Sequence, residues 1–141
     1  MRRATPDREC LMFADSTMPV LIVDDYQTMV RIVRNLLRQI GYENVDDAPD
    51  GPTALEMIRR KRYGLVISDW NMEPMSGIEL LQRLRAEPET AELPVIMVTA
   101  ESKTDHVLAA RKAGVNSYIV KPFTAALLKA KIDAVFAARA A

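Results

Sequence analysis

The chain has 141 residues, 49% hydrophobic and 27% charged, and its 19 Lys+Arg balance 19 Asp+Glu to a formal net charge of zero. That length suits one domain with one core, and the charge balance argues against a nucleic-acid binder that works through bulk charge. A single cysteine, Cys10, excludes an internal disulfide and a cysteine metal site, and no apolar run reaches the roughly 18 residues of a transmembrane helix.

Residues 1–17 mix Arg, Asp, Pro, Thr and Ser without helical or strand period. They read as a loose extension to a domain spanning residues 18–141, with Leu11, Met12 and Phe13 resting on it. No apolar segment follows the N-terminal arginines, so no signal peptide is expected and the location expected is cytoplasmic. Pro19-Val20-Leu21-Ile22-Val23 has the character of a buried strand and runs into Asp24-Asp25. Residues 27–40 form an amphipathic helix, with Met29, Val33, Leu36 and Ile40 on one face and Val30 and Leu37 widening it. Arg31, Arg34 and Arg38 take the outside, and Gly41 is the stop signal. Val45 centres a short strand, Asp50-Gly51-Pro52 reads as a turn, and residues 53–62 form a second helix. The apolar run Leu65-Val66-Ile67 makes a buried strand ending in Asp69, and turn residues Asn71 and Pro74 follow. Ser76 and Glu79 then form a capping box that opens a helix over residues 77–86. Residues 94–99 are the fourth strand, 102–113 a weaker Ala-rich helix closed by Gly114, 117–120 the fifth strand, and 124–139 the last helix.

Strict alternation of short apolar strands with helical segments predicts an α/β domain, a parallel five-stranded sheet covered on both faces. Parallel strands bring their carboxyl ends to one edge, where ligands collect in open α/β sheets. The strand ends carry Asp24 and Asp25, then Asp69, Thr99 and Lys121. Taken singly, each has a bland reading as a turn, cap or strand residue. At successive strand ends they form a constellation. Carboxylates sharing a pocket need a cation to stay ionised, and a small set of oxygen ligands on a rigid scaffold suits Mg2+. An aspartate can attack phosphorus, while a metal, a lysine and a hydroxyl each hold one phosphoryl oxygen.

Five segments carry a resemblance: Val-Asp-Asp (23–25), Met-Val-Arg-Ile-Val-Arg-Asn-Leu-Leu (29–37), Val-Ile-Ser-Asp-Trp-Asn-Met (66–72), Met-Val-Thr-Ala-Glu (97–101) and Val-Lys-Pro-Phe-Thr-Ala-Ala (120–126). From residue 19 to about residue 138 the chain resembles the response-regulator receiver domains, and among them the single-domain chemotaxis regulators that signal to the flagellar motor. The resemblance implies a flavodoxin-like, doubly wound (βα)5 fold with strand order 2-1-3-4-5. It implies that Asp69 accepts a phosphoryl group from a histidine kinase, making the protein a phosphoacceptor with self-phosphorylation and autodephosphorylation activity and no enzyme of turnover. Asp25 and Asp69 match the side-chain ligands of Mg2+, with Asp24 acting through water and Asn71 through its backbone carbonyl. Thr99 and Lys121 match the contacts to phosphoryl oxygens, and Tyr118 the aromatic switch that follows Thr99. Lys121-Pro122 matches a peptide bond that is cis in the family. Asn71 and Glu101 match positions that tune dephosphorylation, and Lys131 one that contacts the flagellar motor switch protein.

The partners expected are thus a histidine kinase and the motor switch protein or another signalling protein. No nucleic acid and no membrane insertion are expected, and the protein should be a monomer. No output domain follows the last helix in this sequence, so output should be a protein contact at helix 4, strand 5 and helix 5. A phosphate sink or phosphorelay intermediate for a shared kinase would carry the same site. A scaffold that does not use phosphorylation would be expected to lose Asp69, Asp25 or Lys121, and all are present. A small-molecule phosphatase would want a second aspartate where Asn71 stands. A flavodoxin-like cofactor binder would want a phosphate loop where Asp24-Asp25-Tyr26-Gln27 stands. One departure from the family is clear. Glu73 occupies the usual position of a proline, which here follows as Pro74. His106 reads as a solvated helix residue and the methionines as core.

Overall fold

The computed structural model describes residues 16–100 and 104–140. Among the described residues five strands and five helices alternate: β1 (Val20–Val23), α1 (Gln27–Gln39), β2 (Val45–Ala48), α2 (Gly51–Arg60), β3 (Leu65–Asp69), α3 (Gly77–Ala86), β4 (Val95–Thr99), α4 (Thr104–Lys112), β5 (Ser117–Val120) and α5 (Ala125–Ala140). All strand pairs are parallel, in the order β2-β1-β3-β4-β5. This is the doubly wound, flavodoxin-like (βα)5 fold that the alternation and the resemblance imply.

The period-2 geometry of a strand sends alternate side chains to opposite faces, and two apolar layers result. Leu21, Val23, Val66, Val95 and Met97 join Leu55, Leu80, Leu81 and Leu84 under α2, α3 and α4. Val20, Ile22, Leu65, Ile67, Ile96 and Ile119 join Val33, Leu37, Leu128 and Ile132 under α1 and α5. The central strands β1, β3 and β4 are buried throughout, which is why they read as unbroken apolar runs.

Local chemistry moves several boundaries. The turn expected at residues 50–52 is the start of α2. Asp50 caps it by accepting from the Thr53 amide at 2.8 Å, and Pro52 is tolerated in a first turn that has no amide bond to lose. The buried seam of α1 is Val30, Val33 and Leu37, while Met29, Leu36 and Ile40 flank it half-buried. Arg34 is not a purely outward residue. It reaches edge strand β2, donating to Asp47 at 2.8 Å and to the Val45 carbonyl at 3.4 Å. The capping box at Ser76 and Glu79 forms as expected. Gly41 and Gly114, placed as stops, have φ of 102° and 91°, a region that glycine enters at least cost. Leu11, Met12, Phe13 and the rest of residues 1–15 lie outside the described residues. Among the described residues, no helix is long and apolar enough to cross a membrane.

Candidate functional site

The parallel register carries Asp69 to the end of β3 and Thr99 to the end of β4, with Asp24 and Asp25 just beyond β1 and Lys121 just beyond β5. One carboxylate oxygen each from Asp24, Asp25 and Asp69 lies within 4.8 Å of the others. Asp24 and Asp69 are buried and Asp25 is exposed, so the cluster has a floor and an open side. Lys121 reaches across from β5 and its Nζ sits 3.1 Å from Asp69 Oδ1. Thr99 is buried at the end of β4, and its carbonyl accepts from the Lys121 amide at 2.8 Å, which fixes the two strand ends together. The Lys121-Pro122 peptide is cis, as the resemblance implies, and so is Glu73-Pro74.

Burial pushes the Asp24 carboxyl up to about 6, opposed by the bond it accepts from the Tyr26 amide. Asp69 repels it further, Lys121 attracts it, and Asp25 adds a smaller repulsion. The Tyr26 amide bond measures 2.9 Å. A buried carboxylate with two acidic neighbours and one lysine is short of positive charge. Hard oxygen donors in that state fit a divalent cation of the Mg2+ type, and Asp24, Asp25 and Asp69 would hold it. Asp25 and Asn71 also line a recess of about 380 Å3 with Trp70, Met72, Glu73 and Ser76, so the open side of the cluster faces the β3–α3 loop.

The family model of the response regulator receiver domain matches residues 20–133. The chain belongs to the response regulator receiver family. It is 52% identical over 122 residues to chemotaxis protein CheY-3 of Vibrio cholerae, covering 86% of this chain and 94% of that protein. Among solved structures, it is similar to the chemotaxis response regulator CheY4 of Vibrio cholerae, with a TM-score of 0.78, 31% identity and coverage of 84% and 98% of the two chains. It is also similar to the receiver domain of the sensor histidine kinase PA1611 of Pseudomonas aeruginosa, which has a magnesium ion in its active-site cleft. There the TM-score is 0.77, with 26% identity and coverage of 85% and 98%. Receiver domains are phosphorylation-activated switches of two-component systems. They are phosphoacceptors and not turnover enzymes.

The receiver's remaining expected residues fall at different distances from the cluster. Asn71 is exposed at the recess. Tyr118 is half-buried on β5 and packs its ring edge-on against Trp70, with centroids 6.4 Å apart and planes at 77°. Lys131 is half-buried on α5, about two turns into a helix that starts near the strand ends and runs back along the sheet. Glu101 and the side chain of His106 lie outside the described residues.

Two further residues shape the site and were not singled out from sequence. Ser68 is fully buried and donates its hydroxyl to the Asp69 carbonyl at 3.0 Å. Gly77 opens α3 directly over that carbonyl. A Cβ at Gly77 would collide with the Asp69 carbonyl oxygen and lie 2.8 Å from Met97 Sδ. The Gly77 amide donates to the Trp70 carbonyl at 2.9 Å, so α3 starts as close to the acidic strand end as backbone can come. The available signal was a glycine in the first turn of a well-capped helix, where its cost asks for a reason.

Proposed function

We propose that Asp69 is the phosphoacceptor of a chemotaxis response regulator, phosphorylated by a histidine kinase with Mg2+ held by Asp24, Asp25, Asp69 and the Asn71 carbonyl. The observation that carries this reading is the convergence of three carboxylates within 4.8 Å, one of them in contact with Lys121. The metal would neutralise the carboxylates and the incoming phosphoryl oxygens. An Asp69 oxygen bonds to phosphorus as the bond from phosphorus to the donor breaks, and the donor atom keeps the electron pair. Lys121, already on Asp69, moves to hold one phosphoryl oxygen, and the Thr99 hydroxyl holds another. Asn71 and Glu101, at the positions that the resemblance assigns to tuning dephosphorylation, would set how fast water later hydrolyses the acyl phosphate. Phosphorylation adds charge and acceptor oxygens at the strand ends. Tyr118 follows Thr99, and the surface formed by α4, β5 and α5, including Lys131, presents a new shape to a partner.

The kinship with CheY-3 supports chemotaxis as the pathway and the flagellar motor switch protein as the partner. On this reading residues 18–141 are the receiver, and a receiver served by a histidine kinase would act in the cytoplasm. Trp70, next to Asp69, reports on the site. Titrating Mg2+ and then acetyl phosphate should change its fluorescence in two steps, and Asp69→Asn should lose the second. Folded protein that binds Mg2+ yet gains no phosphoryl group would remove this reading. Motor output is checked by pull-down with motor switch protein, where the phosphorylated form should be enriched over the unphosphorylated one. Equal recovery of both would favour the phosphate-sink role.

A further inference from the structure

The β3–α3 loop places one acidic side chain at the site that phosphoryl transfer does not need. Glu73 is exposed and lines the recess that contains Asp25, Trp70 and Asn71. Among the described residues, no ion pair or hydrogen bond draws its carboxylate away to a basic partner. The consequence follows from counting formal charge. Asp24, Asp25 and Asp69 bring three negative charges and Lys121 one positive. A bound divalent cation adds two positive charges, and the strand-end site becomes formally neutral. Glu73 then leaves the mouth of a neutral site with one negative charge.

That charge acts differently on two kinds of donor. A small free donor such as acetyl phosphate arrives as a dianion with nothing but electrostatics to guide it, and like charge at the entrance lowers its encounter rate. A phosphohistidine presented by a docked protein is held at the site by contacts elsewhere, at a high effective concentration. We propose that Glu73 is a donor-selectivity residue that disfavours small anionic phosphodonors and reserves Asp69 for a phosphoryl group delivered by a protein. The proposal rests on Asp69 being the phosphoacceptor. With acetyl phosphate, an Asp69 oxygen bonds to phosphorus, the phosphorus–acetate oxygen bond breaks, and acetate leaves with the electron pair. Glu73 takes no part in that exchange and acts on the approach alone.

The test compares wild type, Glu73→Gln and Glu73→Lys at saturating Mg2+, with Asp69→Asn as the blank. Phosphoprotein is counted on phosphate-affinity gels after exposure to acetyl phosphate or to the less charged phosphoramidate. Salt is varied from about 10 mM to about 500 mM, which shrinks the Debye length from about 30 Å to under 5 Å. A unit charge acting on a dianion across a water-filled recess changes the rate by about 3–5-fold at low salt. Glu73→Gln should therefore accelerate acetyl phosphate labelling by about that factor and Glu73→Lys by more. The gain should be smaller for phosphoramidate and should vanish at high salt. In Glu73→Gln the Mg2+ midpoint, read from Trp70 without donor, should weaken by no more than about 5-fold, the same Coulomb factor acting on a divalent cation, as expected of a nearby charge that is not a ligand.

Equal labelling of wild type and Glu73→Gln at low salt would overturn the proposal. So would a gain indifferent to salt and donor charge, because the loop's shape would then be its cause. A Mg2+ midpoint weakened by more than about 10-fold in Glu73→Gln would make Glu73 a metal ligand and overturn it equally. If no variant is labelled although Mg2+ binds, the phosphoacceptor reading itself falls and takes this proposal with it. The two failures are thus told apart.

Discussion

Replacing Asp24 with Asn should make the metal-free protein more stable at neutral pH and less able to hold a divalent cation. Burial, with Asp69 and Asp25 adding repulsion, holds the Asp24 carboxyl at about 6 against an ordinary 3.8. Each unit is worth about 1.4 kcal/mol, so the whole shift corresponds to about 3 kcal/mol. The Asp25 side of the cluster is open to water and Lys121 offsets part of the repulsion, so about 1–3 kcal/mol is expected in practice. The sign is fixed by proton counting. Between about pH 4 and about pH 6 the native protein keeps a proton on Asp24 that the unfolded chain has released. Stability from this group is therefore fully present below about pH 4, is lost as pH rises through about 6, and is flat above that. Asn has no proton to lose, and its Oδ1 can still accept from the Tyr26 amide. Urea unfolding in EDTA, at several pH values between about 4.5 and about 7.5, should show the slope in wild type and a weaker one in the variant. Added Mg2+ should stabilise wild type more than the variant, by mass action on the folded state. An Asn variant no more stable than wild type at neutral pH in EDTA would refute the claim that the empty site holds unfavourable charge.

Gly77→Ala should destabilise by about 1–3 kcal/mol, although alanine is the better helix former, because its Cβ has no room beneath the Asp69 carbonyl and Met97. Urea midpoints measure this, and a stabilised variant would contradict the close approach. Arg85 donates to the carbonyls of Gly114, Thr90 and Leu93 and to Asn116 Oδ1, tying the end of α3 to both loops at the sheet's opposite edge. Arg85→Ala should cost about 2–4 kcal/mol in thermal or urea unfolding. Arg85→Lys should recover little, because one ammonium cannot span the fork, and near wild-type stability in Lys would show that charge alone suffices.

The fold was legible where one physical demand dominated. β1, β3 and β4 are buried on both faces, so their apolar runs could be read without ambiguity, and the strand ends then put Asp24, Asp25, Asp69, Thr99 and Lys121 on one edge. Local chemistry gave α3 its start, since Ser76 and Glu79 need only each other's backbone. Asp50-Gly51-Pro52 misled because the same residues that make turns also make helix starts, and sequence does not say which way the chain continues. The α1 seam was off centre because Met29, Leu36 and Ile40 are as apolar as Val30 and Leu37. Only the angle at which the helix meets the sheet chooses between the two rows. Ser68 and Gly77 escaped notice because their roles are distances to the Asp69 carbonyl, and no pattern in one chain encodes a distance.

The placement of charge against packing accounts for how such a site can act as a switch. Asp69 belongs to a strand whose backbone is held on both sides, through β1 and β4, and its carbonyl is pinned between Ser68 and the start of α3. The strand end cannot readily move when its charge changes. Its partners can, because Lys121 lies beyond β5, Asp25 is exposed, and Tyr118 is only half-buried on an edge strand. Under the proposed function, a change of charge at Asp69 would therefore be relieved outward along Lys121 and β5 toward α4 and α5, while the central sheet would stay as it is. With Asp69 as the proposed phosphoacceptor, the rigid member would carry the acceptor and the less buried members the response, which is the arrangement a two-state surface requires.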